Sequence, residues 1–556
     1  MTLVWKSGLN LQSPTANDPL LDLNTQPSLD LQFATSKTLD DRVSGLPLVN
    51  HQRDASSGKS AGTYVGSDGL IKTSPVNLYF PSTLTAMNWS SPATFTETDN
   101  YGIAPDGTNS SLRVTATATG YLQAATNVEA GTTYTLSVYI KLEVIRSTTF
   151  RIGVQGPAVN STLNKDVLSE LVVGQWVRVF VTFTADNTAT TDLRLMSATN
   201  ADAEFWGVQL EEGTTATDYI PTGATISGAP RFDHDPVTGE SLGLLIEESR
   251  TNLITYSIDF SNWFNISGGS GIDPVKTPNL SGGQDGTATV TKLEFDVTGG
   301  STGGDVSLVG LNYTSTGGVS YTLSAWIRAD STFKINFACD TVSTNEEEVT
   351  TEWKRITYTQ NSGVAGTRQV RIGLRADQNV PDTATIYIWG VQLEENATFP
   401  TSYIPTTGST VTRAADVASI EGTNFSSWYN QSEGTVFVEL GSDQGGVPAR
   451  FQLSDDSGVN RIQSRKNQLY CFNGTQQFNL SYTSSLKEAS AVSGTSTSVA
   501  ASGSVVATHG SASLPTCTNM ELGKRGGNFD YLNGHITRLA YYPYRLADAT
   551  LQEITS

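Results

Sequence analysis

Apolar and polar residues alternate along many short stretches of this chain, which is the period of a half-buried β-strand. Residues 134–141 place Tyr, Leu, Val and Ile at the even positions and Thr, Ser, Tyr and Lys at the odd ones. Residues 321–328 repeat this alternation, and turn-forming residues separate such stretches. Sustained helical periodicity is rare, and one short helix is predicted at 546–554. The pattern therefore predicts an all-β protein.

The strand-like stretches occur twice. Trp206-Gly-Val-Gln-Leu-Glu-Glu recurs at Trp389, and each copy is followed by Tyr-Ile-Pro-Thr, from Tyr219 and from Tyr403. The spacing between matched segments drifts by a few residues, as expected where loops vary around a retained scaffold. The sequence therefore predicts tandem β-sandwich domains of the jelly-roll type, each copy ending on the repeated tryptophan strand.

Five segments follow from these boundaries. They are an irregular N-terminal attachment arm (1–75), a first jelly roll (76–223), a connector (224–250), a second jelly roll (251–408) and a third sandwich (409–556). The arm is polar, with strand-like residues near 29–33 and 62–65. The connector is expected to be ordered, because Leu242, Leu244, Leu245 and Ile246 give it apolar surface to bury. The Ser- and Ala-rich stretch 490–513 is expected to add strands to the third sandwich.

Net charge narrows the possible partners. The chain has 34 basic and 54 acidic residues, a formal net charge of −20. Without a basic run to neutralise phosphates, binding to nucleic acid or to an anionic membrane is not expected. Three scattered cysteines do not form a disulfide framework. No apolar run is long enough for a membrane span or a signal peptide, so the chain is expected to be made in a cytoplasm.

Catalytic and metal-binding signatures are not found in the sequence. It contains no Gly-x-Ser-x-Gly elbow, no P-loop and no His-Glu-x-x-His, and its four histidines lack ligand spacing. Turns are the preferred interpretation of the Asp-His-Asp run at Asp233 and of Asp455-Asp456, with a cation site as the alternative. The protein is therefore predicted to be no enzyme and to use no metal or cofactor.

Strand parity separates structural from candidate binding aromatics. Trp206, Val208 and Leu210 are two residues apart and are predicted to share a core face, as are Trp389 and the residues that follow it. On the opposite faces an aromatic residue is followed two residues later by a cation. Aromatic rings stack on sugars and polar groups orient them, which makes these pairs glycan-binding candidates. A self-contained cation–π pair and packing against another subunit are the alternatives. The candidates are Tyr139, Lys141, Trp176, Arg178, Trp326, Arg328, Trp353 and Arg355.

Several segments resemble known families. The two repeats resemble the jelly-roll carbohydrate-binding modules found beside polysaccharide-degrading enzymes, although Trp-Gly stands where those modules usually end in an Asp-rich run. The connector run from Arg231 to Pro236, the run from Gly243 to Leu253 and the two Gly-Val-Gln-Leu-Glu-Glu segments resemble bacteriophage tail fibres and tail proteins of marine and cyanobacterial phages. The last 140 or so residues resemble laminin-G or concanavalin-like sandwiches.

The phage resemblance implies a non-enzymatic virion protein, a tail fibre that recognises host-surface glycans during adsorption. It also implies a homotrimer in the phage tail or another external appendage, joined to other virion proteins through the N-terminal arm, with a host glycan as partner. A head fibre or capsid decoration protein is one alternative. A free carbohydrate-binding protein or an accessory module of a polysaccharide-degrading enzyme is another.

Overall fold

A computed structural model describes most of the chain. The described residues are 20, 26–56, 59, 61–85, 88–118, 120–145, 148–160, 162–197, 200–339, 345–378, 380–444, 447–527 and 530–556. Nearly every regular element is a strand, which confirms the all-β prediction. None of the helices in this part of the chain is long and apolar enough to cross a membrane. The contacts divide the chain into two units, residues 50–418 and residues 1–49 with 419–556.

The N-terminal region contributes short strands. These are β1 (Leu29–Leu31), β2 (Asn50–Gln52), β3 (Thr63–Val65), β4 (Ile71–Thr73) and β5 (Val76–Asn77), with helix α1 (Phe33–Ser36) after β1. Strands β3 and β4 form an antiparallel hairpin, in which Tyr64 is paired with Lys72. We call residues 63–73 the N-terminal hairpin. The strand-like residues predicted near 29–33 and 62–65 correspond to β1 and β3.

The first sandwich has two antiparallel sheets. Its strands are β6 (Phe95–Thr98), β7 (Leu112–Ala116), β8 (Leu122–Val128), β9 (Thr133–Ile145), β10 (Arg151–Gln155), β11 (Leu163–Asp166), β12 (Trp176–Thr184), β13 (Ala189–Ser197) and β14 (Ala201–Glu212), with a 3-10 turn at Leu168–Glu170. One sheet has the order β12-β9-β14-β7-β6 and the other β11-β10-β13-β8. Alternate residues such as Leu136, Val138 and Ile140 pack with Val154 and Leu193 in the core between them. The sheet with β9 carries the predicted binding residues on its outer face.

The connector and the second sandwich continue unit 50–418. They contain β15 (Ser227–Gly228), β16 (Phe232–His234), β17 (Ser241–Ile246), β18 (Arg250–Asn252), β19 (Phe264–Gly268), β20 (Ile272–Leu280), β21 (Val290–Asp296), β22 (Val306–Ser315), β23 (Val319–Ala329), β24 (Phe333–Ala338), β25 (Glu346–Val349), β26 (Lys354–Ser362), β27 (Gly366–Arg375), β28 (Thr383–Glu395) and β29 (Val411–Arg413), with a 3-10 turn at Phe260–Asn262. The two sheets have the orders β20-β21-β28-β23-β26 and β19-β22-β27-β24-β25. Strands β9, β12 and β14 therefore have β23, β26 and β28 as their counterparts, as the repeat predicted.

The second unit is built mainly from the C-terminal residues. Its elements are β30 (Val417–Glu421), α2 (Gly422–Ser426), β31 (Glu433–Ser442), β32 (Ala449–Ser454), β33 (Asn460–Arg465), β34 (Gln468–Asn473), β35 (Thr475–Ser481), β36 (Lys487–Ser493), β37 (Thr497–Ala501), β38 (Ser504–His509), β39 (Asn519–Leu522), β40 (Gly534–Tyr542) and α3 (Asp548–Thr555). One sheet contains β40-β31-β36-β37-β38 and the other β39-β32-β33-β34-β35. Strand β1 pairs with β40, and Asp30 accepts hydrogen bonds from Arg538 at 2.8 and 2.9 Å. The described start of the predicted arm is thus held by the chain's own C-terminal sandwich.

The Ser- and Ala-rich stretch owes its composition to a helix packed on it. Strands β36 and β37 present small side chains, and Ala489, Ala491 and Ala500 lie in one buried cluster with Leu551 and Ile554 of α3. Small residues leave room for a helix to approach a sheet closely. The predicted strands of 490–513 and the predicted C-terminal helix therefore depend on each other.

A buried cluster of charged side chains lies in unit 50–418. Arg231 and Arg413 each place Nη1 2.8 Å from Oε2 of Glu247, and Arg231 Nη2 also donates to Asp416. Arg53 lies 3.8 Å from the same Asp416 carboxylate. Because removing one partner would leave an uncompensated buried charge, such a cluster fixes the arrangement of the segments that supply it. This explains the ordered connector, which was predicted from its apolar residues alone.

Glycines make room for this cluster. A Cβ atom at Gly228 would lie 1.9 Å from Arg53 Nη2, and one at Gly62 would lie 2.3 Å from its Cζ. The guanidinium therefore runs against two backbone segments that tolerate no side chain. Arg53 Nη2 also donates to Ser74 Oγ at 3.0 Å. The cluster consequently ties residues on both sides of the N-terminal hairpin to the connector.

We predict that His51 makes the stability of this unit sensitive to mild acid. The side chain is buried with Nε2 3.5 Å from Asp416 Oδ1, and burial lowers its pKa below the usual 6.5, with Arg53 and Arg231 opposing a further charge. The unfolded chain then binds the proton more readily, so stability is highest above pH 6.5 and falls as the pH drops below it, by about 1.4 kcal/mol per pH unit at most. Calorimetric melting from pH 7.5 to 5.5 should show a smaller decrease for His51→Gln than for the wild type. His509→Gln, at a half-exposed histidine, should retain the wild-type decrease; equal slopes for all three proteins would contradict the assignment.

Candidate ligand-binding faces

A β-bulge reverses the expected orientation of the repeated tryptophan. In β14, Trp206 pairs with Tyr139 but Gln209 pairs with Ser137, so one extra residue lies in this strand. Gly207 takes a left-handed φ of 64°, and Gly390 has a φ of 65° at the matching bulge of β28. A bulge shifts the alternation of faces by one residue. The prediction that Trp206 and Trp389 share the core face with the valine and leucine after them is therefore wrong.

Both tryptophans are buried on the outer face instead. Trp206 is 8% exposed and Trp389 1%. The Trp206 ring lies 5.4 Å from Tyr139 and 4.5 Å from Tyr219 between centroids. Val208 and Leu210 belong to the core of the first sandwich, which does not include Trp206. The tryptophan is structural, as predicted, but it stabilises an outer aromatic cluster and not the core.

The remaining residues of the motif fold the next loop back over the sheet. Gln209 Oε1 accepts a hydrogen bond from the amide of Ile220 at 2.7 Å, and Glu211 accepts from the amide of Thr217 at 3.1 Å. Asn77 Nδ2 donates to the carbonyls of Val208 and Ile220 at 3.1 and 2.9 Å. We call this set of contacts the clasp. It explains why Tyr-Ile-Pro-Thr follows the motif in both copies.

The second copy repeats the clasp atom for atom. Gln392 Oε1 accepts from the amide of Ile404 at 2.7 Å, and Asn252 Nδ2 donates to the Ile404 carbonyl at 2.9 Å. Tyr403 shares a hydrogen bond with Ser257 at 2.6 Å, as Tyr219 does with Ser82 at 2.7 Å. The repeated sequence is thus accounted for by folding, which removes it as a binding signature.

In the first sandwich the four predicted residues lie side by side on the outer face. Lys141 is paired with Trp176 across β9 and β12, and Tyr139 with Arg178. Arg178 lies 5.4 Å from the Tyr139 ring centroid and donates to Ser137 Oγ at 3.0 Å. Lys141 Nζ lies 2.8 Å from Glu204 Oε1. Each cation therefore has a partner within the domain, which matches the alternative of self-contained pairs.

The second sandwich packs its four candidates into an aromatic cluster. Arg355 lies 4.4 Å from the Trp326 ring centroid and donates to the carbonyl of Thr401 at 2.8 Å. Burial lowers the pKa of Arg355 to about 10, which leaves it cationic at neutral pH. Arg328 lies 5.6 Å from the Trp353 ring and 3.9 Å from that of Tyr387. Arg328 thus lies between aromatic rings, whereas its counterpart Lys141 in the first sandwich is paired with the carboxylate of Glu204.

Part of the N-terminal hairpin packs against this aromatic cluster. Ile71, at the start of β4, packs against the group that contains Trp326, Trp353 and Trp389. Its amide donates to the carbonyl of Gln284 at 2.7 Å. A segment of the chain itself therefore packs on one part of this face, while Trp326, Arg328, Trp353 and Arg355 remain partly exposed.

The corresponding face of the first sandwich has exposed apolar residues instead. Trp176 Nε1 donates to the carbonyl of Ile103 at 3.0 Å, and the Ile103 side chain is 62% exposed. Tyr101 is 45% exposed and stacks on Arg113, whose Cζ lies 4.4 Å from the ring centroid. Val172 and Val173, in the turn before Trp176, are also exposed. These residues form an aromatic and apolar rim on an otherwise polar face.

Ion pairs join the two ends of this rim. Pairing across neighbouring strands sets Trp176, Lys141, Glu204 and Arg113 in one row, so that the backbones of Trp176 and Arg113 are about 14 Å apart at three strand spacings. Arg113 makes a two-pronged contact with Asp202 at 2.8 and 2.5 Å. We call the row with Tyr101 and Asp202 the first binding face. It offers rings at both ends and fixed polar groups between them.

Several residues of this face were not identified from the sequence. Tyr101 lies in a loop without strand alternation, so no parity argument could reach it. Arg113 alternates with Leu112 and Val114 on β7, which is the pattern that could have identified it as outward-facing. Glu204 precedes Trp206 by two residues and lies outside the segment to which the parity argument was applied.

No cluster of ligands supports the alternative of a cation site within the described residues. Within the described ranges, no group of three His, Cys, Asp or Glu side chains is placed to hold a metal ion. Asp455 accepts from the Ser457 amide at 3.0 Å and from Asn460 Nδ2 at 2.7 Å, which is the turn preferred from the sequence. The three cysteines are buried and form no disulfide within the described residues. Burial raises the pKa of Cys471 and of Cys517 to about 12.

Comparison with known proteins points to carbohydrate binding in the first copy. Residues 82–202 match the model of the family CBM_4_9, described as carbohydrate binding domain. This region holds β6 to β13, with Tyr101, Arg113, Lys141 and Trp176. The resemblance of the first repeat to carbohydrate-binding modules is thereby confirmed. A search of curated proteins finds no match.

Solved structures of carbohydrate-binding modules give weak likenesses. A CBM4 structure is 16% identical over 19% of this chain and 71% of its own, with a TM-score of 0.16. The N-terminal tandem CBM22 domains of a Paenibacillus barcinonensis protein are 12% identical over 65% of this chain and 100% of theirs, with a TM-score of 0.20. Tandem CBM51 modules of a family 98 glycoside hydrolase from Streptococcus pneumoniae are 10% identical over 62% and 92%, with a TM-score of 0.16.

We predict that Gly390→Ala destabilises the second sandwich. The added Cβ would lie 3.1 Å from the Trp326 ring at a φ that side chains other than glycine rarely adopt. Strain of this kind costs about 1–3 kcal/mol. Urea unfolding followed by near-ultraviolet circular dichroism should show a lower midpoint and a weaker signal from the tryptophan pair. Gly363→Ala, where the Cβ meets nothing within 4 Å, should match the wild type; a similar loss there would contradict the explanation.

Proposed function

We propose that this protein is a non-enzymatic glycan-binding protein and that the first sandwich carries a binding site. The observation that supports this most directly is that the family match falls on the copy whose outer face carries the exposed Tyr101 and Ile103, and not on the copy whose aromatic cluster packs against Ile71. Tyr101 and Trp176 offer partly exposed rings for sugar C–H surfaces. The ion-paired side chains between them can orient hydroxyl groups without moving.

The charges of the first binding face favour a neutral sugar. Lys141 is paired with Glu204 and with Glu143, and Arg113 is paired with Asp202. Pairing with Glu143 and Glu204 raises the pKa of Lys141, and pairing with Asp202 raises that of Arg113, so both remain charged at neutral pH. Because each cation is matched by a carboxylate, an acidic sugar would gain little attraction here.

We expect Trp176→Ala and Tyr101→Ala to weaken glycan binding. Each removes one ring of the first binding face, and the dissociation constant for the best neutral glycan on an array should rise at least about tenfold, about 1.4 kcal/mol. Biolayer interferometry with that immobilised glycan would measure the change. Trp353→Ala is the matched control, because it removes the equivalent ring of the second sandwich, outside the first binding face, and should leave the affinity unchanged. An unchanged affinity in both first-face variants, or a loss only in Trp353→Ala, would contradict the proposal.

The setting proposed for this binding is a virion appendage. It rests on the connector and repeat segments that resemble phage tail proteins, and it implies a homotrimeric tail fibre that uses a host glycan for adsorption. Immunogold labelling of purified particles with an antibody against residues 419–556 should decorate the tail. Label on the shell would favour a head fibre or decoration protein, and no label on any particle would favour a free carbohydrate-binding protein. Release of oligosaccharides from host polysaccharide by the purified protein would contradict the non-enzymatic part.

A further inference from the structure

One sheet of the C-terminal sandwich carries buried polar side chains on its outer face, the face that points away from the core. Phe451, Leu453 and Ile462 point inward, where they line a small cavity between the sheets. Alternate residues of β32 and β33 therefore point outward. Outward-facing Gln452 and Gln463 are directly paired with each other, and Glu521 and Tyr470 continue the row on β39 and β34. We call this row and its neighbours the C-terminal polar face.

Two amides on this face are buried without full hydrogen bonding. Gln463 is 2% exposed, and its Nε2 has no hydrogen-bond partner among the residues that the structure describes. Gln452 donates to Glu521 at 3.1 Å, but its Oε1 is likewise unpaired in that part of the chain. A buried amide without a partner costs about 1–3 kcal/mol. Gln463 Nε2 could therefore donate to a ligand, and Gln452 Oε1 on the adjacent strand could accept from one.

Three arginines surround these amides. Arg461 and Arg465 lie two residues before and after Gln463 on the same face of β33. Arg465 lies 3.0 Å and Arg525 3.1 Å from the same oxygen of Asp530, so two guanidiniums share one carboxylate. Arg461 donates to the carbonyl of Gly458 and stacks 4.1 Å from the Phe472 ring centroid.

The arginines repel one another. Burial, followed by repulsion from Arg525 and Arg465, lowers the pKa of Arg461. The nearby Lys524 is matched by Glu521 at 2.5 Å, so it adds no net charge. Glu521 also faces Glu421 and Asp456, so the positive charge of this face is concentrated at Arg461, Arg465 and Arg525, two of which share Asp530. An anionic ligand would relieve this repulsion and could accept hydrogen bonds from the guanidiniums.

We propose that the C-terminal polar face binds a sugar that carries a negative charge, as a carboxylate or a sulfate ester. The guanidiniums of Arg461, Arg465 and Arg525 would meet the anionic group. Gln463 would donate to a sugar oxygen and Gln452 would accept from a hydroxyl. The ring of Tyr470, which lies in the same row, would flank the sugar. This inference is independent of the first binding face, which has matched charges and lies in the other unit.

Calorimetric titration of the full chain tests the charge requirement. A galacturonate hexamer and a sulfated galactan hexamer distinguish the two anionic groups, and the carboxyl-reduced hexamer is the neutral control. At least one anionic hexamer should bind, with an affinity that falls at least tenfold from 50 to 300 mM salt. Any binding of the neutral hexamer should be unchanged by Arg461→Gln, because it would arise at the first binding face. Binding of neither anionic hexamer would overturn the proposal. Equal affinity for a thymidine hexanucleotide would also overturn it, because that result indicates a patch for any polyanion.

Two variants test the residues. Arg461→Gln should weaken binding of the anionic hexamer at least tenfold, whereas Arg151→Gln, at an exposed arginine of the first sandwich, should not. Gln463→Leu should also weaken binding without lowering the melting temperature, because it removes a buried Nε2 that has no partner among the described residues. A purely structural role would instead lower the melting temperature and leave the affinity of the folded protein unchanged. Full affinity for the anionic hexamer in both variants would overturn the assignment. Both variants should retain the neutral-sugar binding proposed for the first binding face.

Discussion

The one-residue bulge at Gly207 and Gly390 is the constraint from which the organisation of both jelly rolls follows. It turns the tryptophan out of the core while leaving the next valine and leucine inside it. The outward ring then supplies apolar surface on a polar face, and the tyrosine of Tyr-Ile-Pro-Thr covers it. The clasp satisfies the backbone groups that the bulge and the returning loop leave unpaired. Without the positive φ of the glycine, the ring and the loop that covers it could not meet.

The two sandwiches use this shared frame for different purposes. In the first, the row beside the tryptophan carries Lys141 and Glu204, and its rim carries exposed rings. In the second, Arg328 is stacked against Tyr387 and Trp353, and Ile71 of the N-terminal hairpin packs on the cluster. Replacing an ion pair by stacked rings makes the face apolar enough to hold a segment of the chain itself. Repetition of the scaffold therefore does not imply repetition of the binding site.

The sequence predicted the strands, the repeat and the outward position of Tyr139 and Trp326, because alternation and self-similarity are local properties. The prediction that Trp206 faces the core failed because the parity argument assumes that successive residues alternate faces. A bulge adds one residue to the strand and breaks this alternation, and the composition of the strand does not reveal it. The glycine directly after both tryptophans was the available signal, because glycine readily adopts the left-handed conformation that such a bulge uses. Similarly, Asn533-Gly534 is a dipeptide typical of hairpin turns, but here Asn533, with a φ of 47°, directly precedes β40. The sheet partner of β40 comes from elsewhere in the chain.

Long-range contacts set the limit of prediction from one sequence. Nothing in Arg53, Arg231 or Asp416 taken singly indicates burial, since charged residues are mostly exposed. They are buried because three distant segments bring opposite charges together, and this also places the N-terminal hairpin beside the second sandwich. The same reasoning separates the two faces proposed for glycans. On the first sandwich every cation of the row is matched by a carboxylate, whereas on the C-terminal sandwich two arginines share Asp530 and a third stacks on a ring. Charge balance, which depends on folded neighbours and not on composition, is therefore what distinguishes a face suited to neutral sugars from one suited to acidic sugars.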